Sequence, residues 1–156
     1  VKVEGPAVCL GADIDTDIII AGRYLRTKDR SVWATHVFED MDPALASRLR
    51  GAVIVAGKNF GCGSSREQAA IALREAGVRC VIAPSFARIF FRNAINTGLP
   101  VMECECPCME GKKVVADPAS GRIEIGDRVF FARPLSPRML GILSAGGLVE
   151  YWRKKR

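Results

Sequence analysis

Histidine is almost missing from this chain: His36 is the sole one in 156 residues. A serine–histidine pair therefore has only one possible partner. Aromatic residues make up only 7%. A nucleic-acid surface would interleave basic residues with exposed aromatics, and no such stretch is present. Long apolar runs are also missing. The longest, GAVIVAG and RCVIAP, are strand-sized, far short of the ~20 residues needed to cross a bilayer. The start, VKVEGPAVCLGADID, has no basic segment leading into an apolar stretch, so no secretory signal is expected. It does not begin with Met, which is consistent with trimming.

With 49% hydrophobic and 26% charged residues, the chain reads as one soluble globular domain over 1–156. Its formal net charge is +6, a balance that can favour an anionic substrate. Part of it lies in Arg153, Lys154, Lys155 and Arg156, read as a solvated tail. The six cysteines are Cys9, Cys62, Cys80, Cys104, Cys106 and Cys108. A cytoplasmic location predicts reduced thiols. Cys9 and Cys80 fall in apolar, strand-like runs and read as core. The C-E-C-P-C run at 104–108 lacks the C-x-x-C form of most metal sites, so no metal is expected.

The order of elements carries the fold class. Strand-like 2–9 and GAVIVAG are followed by a helical repeat at Ala69, Ala72, Leu73 and Ala76, ended by Gly77. An apolar strand at 79–83, a helix over 85–96 closed by Gly98 and a strand at 100–103 come next. This alternation predicts a parallel, right-handed βαβαβ core. KKVVAD, PASG and RIEIGDRVFFA predict added antiparallel strands. Ser136-Pro137 opens a last helix, broken at Gly146-Gly147. Short helices are expected at 31–39 and 43–49, the second capped by Asp42-Pro43, with 21–31 a loop that has few anchors.

The chemistry concentrates in NFGCGSSREQAAIAL, residues 59–73. Ser64 and Glu67 have capping-box spacing. On the local pattern this is the leading reading: Ser64 caps the helix and Glu67 reaches back. The alternative uses the same helix start as an anion site. Gly61 and Gly63 would let the backbone approach a ligand, and Arg66 offers a fork for a carboxylate. The P-loop pattern and the G-x-S-x-G elbow are both absent. A serine acting as base here would need its alkoxide stabilised by helix N–H groups and an arginine.

NFGCGSSREQAAIAL and IAPSFARIFFRNAINTGLP resemble the small subunit of the aconitase superfamily, on its isopropylmalate isomerase and homoaconitase branch. GADIDTDIII, GRYLRT and LSAGGLVEYW resemble further motifs of that family, in order along nearly the whole chain. The resemblance implies a swivelling β/β/α domain and a hydro-lyase that isomerises a hydroxy di- or tricarboxylic acid by dehydration and rehydration. It implies a separate large subunit as partner, which carries a 4Fe-4S cluster, and no cofactor on this chain. Ser64 matches the family's catalytic base. Ser65 and Arg66 match substrate carboxylate ligands. Arg26, within Tyr24, Leu25 and Thr27, matches the specificity residue of a mobile loop, and an arginine there suits a carboxylate-ended arm. Asp13, Thr16 and Asp17 match an acidic turn that shapes the loop. Ala12 and Ala21 depart from the family's usual acidic residue and proline. Isopropylmalate dehydration in leucine synthesis is the first expectation, homoaconitase the second. An RNA-binding or metal-carrying role stands behind both. Membrane association is not expected, and an isolated chain would expose apolar surface at which it could self-associate.

Overall fold

The computed structural model describes residues 2–155. Seven strands form one sheet in the order β4-β3-β2-β1-β5-β6-β7. β1 (Val3–Cys9), β2 (Val53–Val55), β3 (Cys80–Ala83) and β4 (Val101–Glu103) run parallel. β5 (Lys113–Ala116), β6 (Arg122–Ile125) and β7 (Arg128–Phe131) extend the sheet antiparallel from β1. The expected core with added strands is thus the observed fold. β2 is buried at all three positions because both sheet faces are covered, which is why its sequence is apolar without alternation.

Strand residues still divide by parity. Ile54, Val81 and Val101 join the face packed by helices. Val53, Val55, Ile82 and Met102 join the other face, with Val114, Ala116, Ile123 and Ile125 from the antiparallel half. The helices are α1 (Thr16–Ile19), α2 (Arg30–Thr35), α3 (Glu67–Glu75), α4 (Arg88–Thr97), α5 (Pro137–Ala145) and α6 (Leu148–Lys154). α3 and α4 are the crossovers β2→β3 and β3→β4, so their N-termini both lie at the C-terminal ends of parallel strands. That is where ligands collect in such sheets.

Local signals account for most boundaries. Gly98 and Gly146 end α4 and α5 with left-handed φ of 90° and 94°, a conformation that suits glycine. Ser136 caps α5 by accepting from Met139 N at 3.2 Å. Three expectations need correction. Asp42 accepts from Ala44 N at 3.0 Å, but the chain then makes a turn and only a short 3-10 helix, Ala46–Arg48. The helix expected over 31–39 ends at Thr35, whereas the basic tail is exposed through Lys155 as expected, carried to Lys154 by α6 with Arg153 Nη1 donating to Glu150 at 2.8 Å. Arg156 lies outside the described residues.

The third correction is Cys9. It is not a free core thiol but is bonded to Cys108, with a Cα–Cα distance of 5.7 Å. Ala7 N donates to Lys112 O at 2.8 Å and Gly111 N to Ala7 O at 2.9 Å. These bonds lay the end of the C-E-C-P-C segment along β1 and bring the two sulfurs together. Cys80 is fully buried, as expected, and burial pushes its thiol up to about 12.

Candidate active site

The segment between β2 and α3 is held in shape by two neighbours. Phe60 is fully buried and packs edge-on to Phe90 and Phe86, with centroids 5.3 and 6.0 Å away. Its backbone is pinned to the strand after β3: Phe60 N donates to Ser85 O and Ala87 N to Phe60 O. On the other side runs the acidic turn. Gly61 N donates to Ile14 O at 2.8 Å and Thr16 N to Cys62 O at 2.8 Å. A Cβ at Gly61 would strike the Phe90 ring, and one at Gly63 would strike the Asp15 carboxylate. Both residues also have left-handed φ, 82° and 93°, so glycine is required twice over.

Ser64 is not the cap of α3. The helix begins at Glu67, its N-cap position is Arg66, and no side chain caps it. Arg66 N donates to Ser64 O at 2.9 Å, and this local turn leaves Ser64 two residues before the N-cap position, too far back to cap the helix. Its side chain lies instead against Thr16, at 3.3 Å between hydroxyl oxygens. The capping-box reading therefore fails, and the start of α3, without a side-chain cap, lies beside the cleft that Ser64, Ser65 and Arg66 line. That is the arrangement of an anion site.

Arg66 completes it. Its Nη1 lies 2.6 Å from Asp17 Oδ1, yet the approach falls outside hydrogen-bond geometry, so Nη1 is a buried group with charge contact and no hydrogen bond. The short distance is an ion pair that orients the guanidinium against the acidic turn. Gly22 packs against the same guanidinium, where a Cβ would sit 3.6 Å from Nη2.

The cleft holds about 310 Å³, at the small end for ligand sites. Ser64, Ser65 and Arg66 line it, with Thr16 at its floor. Arg88 and Asn93 from α4 line it too; sequence reading missed both. Their signal lay in SFARIFFRNAIN, where a helix whose own start has no side-chain cap turns its first residues to the same strand end. Cys62 lies inside the loop. Burial first, then Asp15 and Asp13, raise its thiol above the usual range.

Tyr24, Leu25, Arg26 and Thr27 do not line this cleft. The first three lie on a 3-10 helix, Gly22–Arg26, with Thr27 at its end, and Arg26 points to solvent. The expectation of few anchors is wrong for this segment. Arg23 donates to Asp40 at 2.6 and 3.1 Å and to Glu39 at 3.1 Å. Tyr24 donates its hydroxyl to Glu39 and stacks on His36 at 4.1 Å. Trp33 Nε1 donates to Tyr24 O at 3.0 Å. His36 is thus part of the loop's anchorage and not a partner for Ser64: its Nδ1 is 2.7 Å from Val32 O and its Nε2 is 3.6 Å from Glu39.

These carboxylates make the anchorage sensitive to acid. The Tyr24 hydroxyl, then Arg23, hold Glu39 below its usual range, and Arg23 does the same for Asp40. A depressed folded pKa gives stability that is present above the ordinary carboxylate range and lost as pH falls through the folded values. Below about pH 4 the loop should loosen before the core does. In a Trp152→Phe background, Trp33 emission should shift to the red in that window. Constant emission down to pH 2 would remove the loop network as its cause.

Among the described residues, one group offers three metal-type ligands close together: Cys9, Cys108 and Glu110. Its two sulfurs are joined to each other, and Glu110 is engaged by Cys9 N at 2.6 Å and Arg48 at 3.3 Å. Cys104 and Cys106 lie outside it. These residues do not fit an iron–sulfur cluster, which needs converging thiolates.

Residues 12–105 match the model of the aconitase C-terminal domain. The chain belongs to that family. It is 49% identical to the 3-isopropylmalate dehydratase small subunit of Saccharolobus solfataricus, over 97% of this chain and 94% of that protein. It is 48% identical to the methanogen homoaconitase small subunit of Methanothermobacter thermautotrophicus, over 97% and 91%. Among solved structures, the 3-isopropylmalate dehydratase of Methanocaldococcus jannaschii superposes with a TM-score of 0.94 and 43% identity, over 99% of this chain and 95% of that one. The match to the family model spans both the acidic turn and the serine loop. No helix among the described residues is long and apolar enough to cross a membrane.

Proposed function

We propose that this chain is the small subunit of a 3-isopropylmalate dehydratase, a hydro-lyase interconverting 2- and 3-isopropylmalate in leucine biosynthesis. The observation that carries the reading is the uncapped start of α3, with Arg66 and Ser64 in one small cleft. Near-full-length likeness to dehydratase small subunits supports it. The chain acts as one swivel domain over 1–156, in the cytoplasm, and works only with a large subunit. Ile89, half exposed at the cleft rim, belongs to the surface that this partner covers.

The division of labour follows from what this chain holds. Arg66, Ser65 and the α3 N–H groups bind a substrate carboxylate, neutralising it where the helix dipole is positive. That fixes the neighbouring C–H toward Ser64, which takes the proton. The large subunit's 4Fe-4S cluster, when present, supplies the Lewis acid for the departing hydroxyl. No thiol of this chain takes part.

A second reading, homoaconitase, rests on Arg26. A guanidinium exposed on an anchored loop suits an arm ending in carboxylate, whereas an isopropyl arm gains from an apolar side chain. Anaerobic reconstitution with a cluster-loaded large subunit from the same organism, assayed on isopropylmalate and on homocitrate, separates the two. Turnover of isopropylmalate alone assigns the first. Turnover of homocitrate assigns the second, and no turnover with a cluster-loaded partner overturns both. If homocitrate is turned over, Arg26→Val should lower its kcat/KM by about 10- to 100-fold, the worth of one charged hydrogen bond. A smaller change would exclude Arg26 as the arm's ligand.

A further inference from the structure

Thr16 is the one buried polar side chain among the described residues, 1% exposed. It opens α1, and its backbone is fixed at both ends: its N–H goes to Cys62 O at 2.8 Å and its carbonyl accepts from Ile20 N at 3.0 Å. Its hydroxyl has two neighbours on Ser64. One is the carbonyl oxygen at 2.9 Å, the other the side-chain oxygen at 3.3 Å. A buried hydroxyl held between two atoms of one exposed residue calls for more than a loop-shaping role.

Counting hydrogens shows what the contact can do. A threonine hydroxyl carries one hydrogen and two lone pairs. The Ser64 carbonyl can only accept, so the Thr16 hydrogen is committed to it. With the Thr16 hydrogen on the carbonyl, the longer contact between the two hydroxyls is filled by Ser64 donating and Thr16 accepting. Once Ser64 has lost its proton, its oxygen can only accept. The Thr16 hydrogen must then swing from the carbonyl to the alkoxide, a rotation about one bond with both acceptors already in reach.

We propose that Thr16 is a positioning residue for the reaction, a two-position donor that stabilises the deprotonated form of Ser64. The inference rests on Ser64 being the base. The cycle starts once Ser64, exposed to solvent, has given its own proton to water. The substrate proton then leaves its carbon for Ser64 Oγ, the electron pair of that C–H bond becomes part of the new double bond, and the hydroxyl on the adjacent carbon departs with the C–O bonding pair. The restored Ser64 hydroxyl donates to Thr16 again, whose hydrogen returns to the carbonyl. Rehydration runs the same exchange backwards. Thr16 itself never exchanges its proton with substrate.

The test uses the reconstituted enzyme and its natural substrate. Thr16→Val keeps the shape and removes the donor. It should lower kcat by about 10- to 100-fold, the loss of one hydrogen bond to a charged oxygen, with little change in KM. It should also move the acidic limb of the kcat profile to higher pH. Thr16→Ser should restore both, and Thr16→Ala should behave as Thr16→Val if the valine variant fails to assemble. In a Ser64→Ala background the further effect of Thr16→Val should vanish. A limb that stays in place, or an equal loss of kcat in both backgrounds, would overturn the proposal while leaving Ser64 as base. Normal turnover of Ser64→Ala alone would instead overturn the base assignment on which it rests.

Discussion

Replacing Ser64 with alanine should lower turnover of the reconstituted enzyme by about 10²- to 10⁴-fold, the usual worth of a positioned general base. The fold should hardly notice. Ser64 is exposed and caps nothing. The stronger of its two bonds with Thr16 uses the carbonyl, which alanine keeps. Surface changes of this kind stay within about 0.5 kcal/mol, or roughly 1–2 °C in melting temperature for a chain of this size. Steady-state kinetics beside a thermal melt would check both halves. A large loss of stability with modest loss of turnover would return Ser64 to a structural role. Ser65→Ala supplies the contrast: a ligand shared by substrate and transition state should raise KM and spare kcat.

The second large effect concerns Cys9 and Cys108. Their bond closes a loop of 99 residues in sequence separation, and the chain-entropy relation puts such closure near 4–5 kcal/mol. Reductant should therefore lower the melting temperature by about 10 °C. Cys108→Ser should start low and ignore reductant. The unfolded, unreduced chain should titrate four thiols, Cys62, Cys80, Cys104 and Cys106. Six titratable thiols and a melt indifferent to reductant would show the pair to be unbonded. Turnover should respond far less than stability, because the bond joins β1 to the segment before β5 and leaves the cleft residues untouched.

Much of this molecule is legible along the chain. GAVIVAG and RCVIA have room for nothing but doubly buried strands, and the glycines at 77, 98 and 146 end helices because the chain there turns left-handed. Period and punctuation are local properties, so they survive without a structure. The motif NFGCGSSRE likewise announced a helix start rich in donors. Its residues alone could not say whether Ser64 spends its hydroxyl on the helix, because a capping box and a serine held away from the cap share the same spacing.

Contacts between distant segments settled that point. The acidic turn lies 48 residues from Ser64, and only the parallel pairing of β1 with β2 sets Thr16 and Asp17 beside the serine loop. Other contacts between separated segments brought Arg88 and Asn93 to the cleft, tied the 3-10 helix of Arg26 to Glu39 and Asp40, and put Cys9 on Cys108. The sequence by itself determined the order of the main strands and helices and which loop bears the chemistry, since burial period and glycine punctuation are written in neighbouring residues. The partners of each side chain were decided by the tertiary structure alone, because a hydrogen bond or a disulfide depends on distance in space, and sheet order sets that distance.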